Sequence, residues 1–226
     1  MSMYAVCRPV MYVVRFEHIV HRRVHNGIMP VMNDEVPDEF GDITPDDFIR
    51  GAGQGNPPGW MGPGQIDDIR RKMPIAYVEC VPVRLDDLGR VSQVGILVRV
   101  GADGAVEKTL PAGRVLFHES LREAIARNIA KDLGDLALPL MPVSLQPFTI
   151  AEFFPTPGVS EFYDARQHAI AMCYVVPIGG DCKPQDNALD MEWVSPADAV
   201  APDSLAQMPD GHGLILRQGL AWAGAI

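Results

Sequence analysis

Between Leu110 and Asp135 the chain reads LPAGRVLFHESLREAIARNIAKDLGD, a tight turn running directly into a helix, and no other stretch restricts the fold as much. Pro111 and Gly113 mark the turn, Glu119 and Ser120 open the helix, and Gly134 stops it. Leu121, Ala124, Ile125, Ile129 and Leu133 recur at spacings of three and four, which makes one apolar stripe that can face a core. Arg122, Glu123, Arg127, Lys131 and Asp132 are expected on the opposite, polar side.

Strands are expected on both sides of this helix. Ile75 to Arg84 is rich in β-branched and aromatic residues, Asp86, Asp87 and Gly89 make a turn, and Gln93 to Val100 is almost continuously apolar, as a central strand would be. Gly101 to Gly104 turns the chain, and Ala105 to Leu110 leads as a short strand into the stretch above. Beyond Gly134, strands are expected around Phe148 to Phe154 and over Ala169 to Ile178, with a loop from Pro155 to Phe162. A strand carrying Trp193 should follow, then a short helix with Ser195 as N-cap, Pro196 in the first helical position and Asp198 in the first turn. Gly211 to Ala225 reads as a final amphipathic helix, with Leu214, Ile215, Leu220 and Trp222 available to cover the sheet.

The central stretch resembles the Nudix box, G-x5-E-x7-R-E-U-x-E-E-x-G-U with U aliphatic. Gly113, Glu119, Arg127, Ile129 and Gly134 match it, Asp132 replaces a Glu by another carboxylate, and Asn128, Lys131 and Asp135 depart from it. The strand order and the closing Trp strand are a second, independent resemblance. Together they imply an α+β fold, a Nudix-like α/β/α sandwich around a mixed sheet. They also imply that Glu119 and Arg127 tie the loop to the helix. The family often has P-G-G-x-x-x-x-G-E before the helix; Ala112 and His118 here replace two of those glycines, which narrows the backbone freedom of the loop.

The chain has 226 residues, 47% hydrophobic and 21% charged, the balance of a globular protein. A net charge of −10 excludes general binding of nucleic-acid phosphates, and no run approaches the about 18 apolar residues of a membrane span. Cys7, Cys80, Cys173 and Cys182 form no C-x-x-C pair, so idle thiols in a reducing cytoplasm are expected. Residues 1–32 read as a flexible N-terminal extension, apolar and basic with His18, His21 and His25, or as a segment upstream of a later start at Met29, Met32 or Met61. Residues 33–64 read as an acidic, then Gly- and Pro-rich linker, and residues 65–226 as the Nudix-like domain.

The resemblance implies a nucleoside diphosphate linked to another group as ligand, a small molecule, and leaves room for a homodimer. It implies magnesium held by carboxylates of the box, here Glu119 and Asp132, with Glu123 as a further catalytic candidate. Hard cations want several charged oxygens, and Asn128 and Lys131 remove two of them, so the ion is disfavoured. Replacing a carboxylate by Lys131 shifts the charge beside a dication by two units, an effect on the order of several kcal/mol. His118, Arg127, Lys131 and Asp164 are the candidate ligand contacts, with Glu161 a further acidic candidate. The preferred reading is a Nudix-fold binding module with weak or no hydrolysis, Lys131 standing in for the metal. The alternatives are a magnesium-dependent pyrophosphohydrolase and a scaffold whose box is a relic.

Overall fold

The structure, a computed structural model, describes residues 61–101, 104–185 and 188–226; the N-terminal extension and nearly all of the expected linker lie outside the described residues. A helix absent from the sequence reading opens the described chain: α1, Pro63–Arg70, with proline at its start and an Asp67–Arg70 ion pair one turn apart at 3.0 Å. Four strands follow: β1 (Ile75–Leu85), β2 (Val91–Val100), β3 (Val106–Thr109) and β4 (Ala112–Arg114). Then come helix α2 (Leu121–Leu133), β5 (Thr149–Phe154), β6 (Phe162–Tyr163), β7 (Ala169–Pro177) and β8 (Asp190–Val194). Helices α3 (Pro196–Ala199), α4 (Pro202–Leu205) and α5 (His212–Trp222) close the chain.

The strands form one mixed eight-stranded sheet in which β1 runs parallel to β7 and antiparallel to β2. Register shows that the sheet forks. β7 lies along one edge of β1 throughout, from Ile75↔Ala169 to Val83↔Pro177, so β2 and β4 must share the other. β2 takes its C-terminal half, through Val83↔Val94, and β4 its N-terminal half, through Tyr77↔Arg114 and Glu79↔Ala112. In the same way β8 occupies one edge of β2, and β3 follows β1 along the other through Leu97↔Thr109. β1 and β2 therefore part company, and the turn from β3 to β4 sits in the fork. That turn carries Leu110 and Pro111, and Gly113, expected in the turn, is the middle residue of β4.

Side chains alternate across the sheet and feed two cores. Val81, Val83, Val94, Ile96, Ala171 and Cys173 pack against Ile215, Leu216 and Leu220 of α5. Val78, Cys80, Leu97, Tyr174 and Val176 pack against Ala124, Ile125, Ile129 and Leu133 of α2. The result is the α/β/α sandwich expected from the sequence. Trp222 does not share in it: its exposure is 61%, and Leu216 with the close-packed Gly219 takes the place expected for it. Within the described residues Cys80 and Cys173 are buried free thiols and Cys182 is a half-buried one, and no helix is long and apolar enough to cross a membrane.

Candidate functional site

Helix α2 begins with a reciprocal cap. The Ser120 hydroxyl accepts from the Glu123 amide, and the Glu123 carboxylate accepts from the Ser120 amide and hydroxyl at 2.8 and 2.6 Å. Glu123 is exposed, and these bonds hold its pKa below the usual Glu value. One turn further, α2 is fastened to β4 residue by residue. Arg127 donates to the carbonyl of Arg114 at 2.7 Å, and Lys131 donates to the carbonyl of Ala112 at 2.9 Å. Between them Asn128 lies against Gly113 so closely that a Cβ there would stand 1.9 Å from its Oδ1. Asn128 Nδ2 itself donates to the carbonyl of Ala124 at 2.9 Å, as a buried amide must find a partner.

Arg127 also grips Glu119 with two donors, Nε to Oε1 at 2.6 Å and Nη2 to Oε2 at 2.8 Å. The amide of Leu116 donates to Oε2 at 2.9 Å. Burial raises the Glu119 pKa, but the Arg127 and Leu116 hydrogen bonds and the Arg127 charge outweigh it, and the net shift is downward. His118 precedes this carboxylate with φ +62°, in the left-handed region where glycine is at ease and other residues are strained. The loop thus keeps the backbone turn that a glycine would give, with an exposed imidazole edge-on to Phe117 at 4.3 Å.

Asp132 lies elsewhere than on the polar side. It is fully buried, as is Asn128 nearly so, because Leu121, Ile125, Asn128 and Asp132 follow one another at four, three and four and so share the stripe that faces the sheet. Two cations meet it there: Arg99 of β2 at 3.1 Å and Lys131 at 3.2 Å, both at Oδ1. Arg99 is a site residue that sequence reasoning missed. Nothing local marks it, since only the pairing of Leu97 with Thr109 and the packing of Leu97 beside α2 bring it over the helix. Lys131 remains 43% exposed, so its ammonium joins the interior to solvent.

Asp164 stands apart from this group. Its carboxylate receives Arg166 Nε at 2.8 Å and Nη2 at 2.9 Å, and Gln167 Nε2 at 2.8 Å, while Gln167 Oε1 accepts from Arg70 of α1 at 2.8 Å. Burial raises its pKa, but the hydrogen bonds and charge of Arg166 bring it below the usual Asp value. Glu161 is exposed in the preceding turn. Among the described residues no three His, Cys, Asp or Glu side chains are grouped to hold a metal.

A forked mixed sheet between two helices, with a turn in the fork tied by a Glu–Arg pair to the helix after it, defines a Nudix domain. Residues 56–225 match the family described as "Domain of unknown function (DUF4916)", so the chain belongs to that family, and its fold is that of the Nudix hydrolases. Among solved structures it is similar to a protein of Jonesia denitrificans described as a possible asymmetric diadenosine tetraphosphate (Ap4A) hydrolase. That likeness has 50% identity and a TM-score of 0.66, covering 68% of this chain and 97% of the other. A Nudix hydrolase from Nitrosomonas europaea shares the fold at 13% identity and TM-score 0.50, over 68% of this chain and 91% of that one. So does a bifunctional NMN adenylyltransferase/ADP-ribose pyrophosphatase from Francisella tularensis, at 16% identity and TM-score 0.50, over 71% and 45%. No curated protein matches the chain.

Proposed function

We propose that this Nudix domain binds a small molecule containing a nucleoside diphosphate group at the β4–α2 junction, with the Lys131 ammonium in place of a metal ion and with weak or no hydrolysis. The observation that carries the reading is the seat of Lys131. Its ammonium lies 2.9 Å from the Ala112 carbonyl oxygen and 3.2 Å from Asp132 Oδ1, an oxygen-lined position such as a small cation takes. An ammonium has three donors; with two directed at these oxygens, the third can meet a phosphate at the exposed end of the side chain. Arg127 lies one turn before Lys131 on α2, and His118 lies in the loop that leads into the helix.

A magnesium ion fits this donor set poorly. Both oxygens of Glu119 are held by Arg127 and Leu116, Glu123 is turned back on its own cap, and Asp132 is buried against Arg99 and Lys131. Glu119 and Asp132 are already paired with cations of the protein, and Glu123 is engaged by its own helix cap. The alternative, magnesium-dependent cleavage of a nucleoside diphosphate linkage, is favoured by the description of the half-identical relative as a possible Ap4A hydrolase.

Calorimetric titration of the full chain with ADP-ribose, in chelator and in magnesium, alongside an assay for hydrolysis products, separates the two. The expected result is binding in chelator, no turnover, and an affinity at least about tenfold weaker in Lys131→Glu, the scale of a lost charged hydrogen bond. Turnover that requires magnesium would overturn the reading.

A further inference from the structure

One oxygen of Asp132, Oδ1, is shared by two cations, Arg99 at 3.1 Å and Lys131 at 3.2 Å. Their settings differ. Lys131 reaches the carboxylate from its own helix and keeps 43% of its side chain exposed, whereas Arg99 arrives from the sheet with 24% exposed. Leu97 of β2 faces the α2 core, and Arg99, two residues along the strand, shares that face. By register its cross-strand neighbour on β3 is Glu107, which would be the nearer counter-charge. The Glu107 carboxyl lies instead against Gly101, where an added Cβ would stand 2.9 Å from it. Among the described residues Arg99 makes its ion pair with Asp132.

The pair is one of charge and not of directed hydrogen bonds. Arg99 Nε and Nη2 are both buried, and neither makes a hydrogen bond within the described residues. A guanidinium placed to brace the interior would spend its fork on acceptors, so what this one contributes is its positive charge. That charge bears on Lys131. A fully buried carboxylate has to be met by a cation, and with Lys131 as its sole partner the ammonium would be drawn inward and cancelled. With Arg99 on the same oxygen from the sheet side, two cations face one carboxylate, and the excess positive charge falls on the exposed one.

Resting on the reading of Lys131 above, we infer that Arg99 is a positioning residue of that site: it meets the buried Asp132 carboxylate from behind and so leaves the charge of Lys131 available to an anionic ligand. Arg99 acts through Lys131 and touches no ligand itself.

The test is calorimetry of the full chain with ADP-ribose in chelator. Arg99→Gln should weaken binding about tenfold, although it alters nothing at the exposed end of Lys131. Arg99→Lys, which keeps the charge and loses the fork, should recover most of that loss. Asp132→Asn should act in the opposite direction and tighten binding about threefold or more, because the carboxylate that draws on Lys131 is gone. The double variant Arg99→Gln/Asp132→Asn should return to within about threefold of wild type. On a Lys131→Met background Arg99→Gln should have no effect. The inference is refuted if Asp132→Asn weakens binding, or if Arg99→Lys is as weak as Arg99→Gln. It is also refuted by a further loss on the Lys131→Met background, since Arg99 would then meet the ligand directly. Should Arg99→Gln not fold, leaving Asp132 short of a counter-charge, the double variant still decides, because it removes both charges together: an about tenfold loss there overturns the inference. Failure of the Lys131 reading looks different. Lys131→Met with wild-type affinity would remove that reading and the role of Arg99 with it, whereas weak binding in Lys131→Met with none lost in Arg99→Gln would remove the role of Arg99 alone.

Discussion

Gly113 is the point at which the helix and the turn meet most tightly, and its replacement by alanine tests that junction. The added Cβ would stand 1.9 Å from Asn128 Oδ1, 2.6 Å from its Cγ and 2.9 Å from its Nδ2, so the whole amide has to move. If the amide rotates away, it gives up the bond to the Ala124 carbonyl, worth about 1 kcal/mol, and leaves its preferred rotamer at a cost of about 1 kcal/mol more. If β4 yields instead, the Arg127 and Lys131 bonds to the Arg114 and Ala112 carbonyls lengthen. Either route costs about 2 kcal/mol, inside the roughly 1–3 kcal/mol range of overpacked cores. Urea unfolding of the full chain should show it, with a fall of about 4–8 °C in thermal midpoint for a domain of this size. Asn128→Ala alone should also destabilise, by about 1–2 kcal/mol. The double variant should cost less than the sum by about 1 kcal/mol or more, since the new methyl enters the space the amide leaves. A Gly113→Ala protein within about 0.5 kcal/mol of wild type, or strictly additive costs, would refute the packing described here.

The backbone at His118, at φ +62°, makes a sharper comparison between two substitutions than with wild type: His118→Gly should be more stable than His118→Val by at least about 1 kcal/mol in urea unfolding, and equal stabilities would show that the turn relaxes. His212, on α5, has its Nδ1 2.7 Å from Glu79 Oε1; burial lowers its pKa, but the charge and hydrogen bond of Glu79 and the charge of Asp210 raise it to a net value above 6.5, against a smaller lowering by Arg99. A group whose folded pKa exceeds its unfolded one lends stability that is complete below the unfolded value and is lost as pH rises through the folded value. The destabilisation caused by His212→Gln should therefore be greatest below pH 6.5 and shrink above it, and a cost that grew with pH in denaturation profiles would contradict the pairing.

The sequence disclosed those parts of the fold that local chemistry dictates. The bounds of α2 followed from Ser120 and Gly134, β1, β2, β5 and β7 from runs of β-branched and aromatic residues, and the start of α3 from Ser195 and Pro196. What stayed hidden depended on pairing at a distance. β4 is three residues long and contains a glycine, and it is a strand only because β2 leaves half of one edge of β1 open. By residue type Asp132 belongs on the wet face of α2, although its spacing from Ile125 puts it on the buried one; the charge is tolerated there because Arg99 arrives from a strand that no local pattern links to the helix. Glu119 and Arg127 do form the expected tie between loop and helix. Trp222 is expected with Leu214, Ile215 and Leu220 on the face that covers the sheet, yet Gly219, whose missing Cβ leaves room for Val81 and Phe148, marks the side of α5 that faces it.

The seat of Lys131 changes what sets the charge at the junction. A metal ion is drawn from solution, and its occupancy rises and falls with supply; a side chain is present once in every chain, whatever the surroundings hold. On the proposed reading the domain's grip on a phosphate chain is independent of the divalent-ion pool. Free magnesium, which itself binds phosphate oxygens, then changes from helper to rival: where a metal-dependent relative gains ligand as the ion becomes plentiful, this protein would hold its ligand best when the ion is scarce.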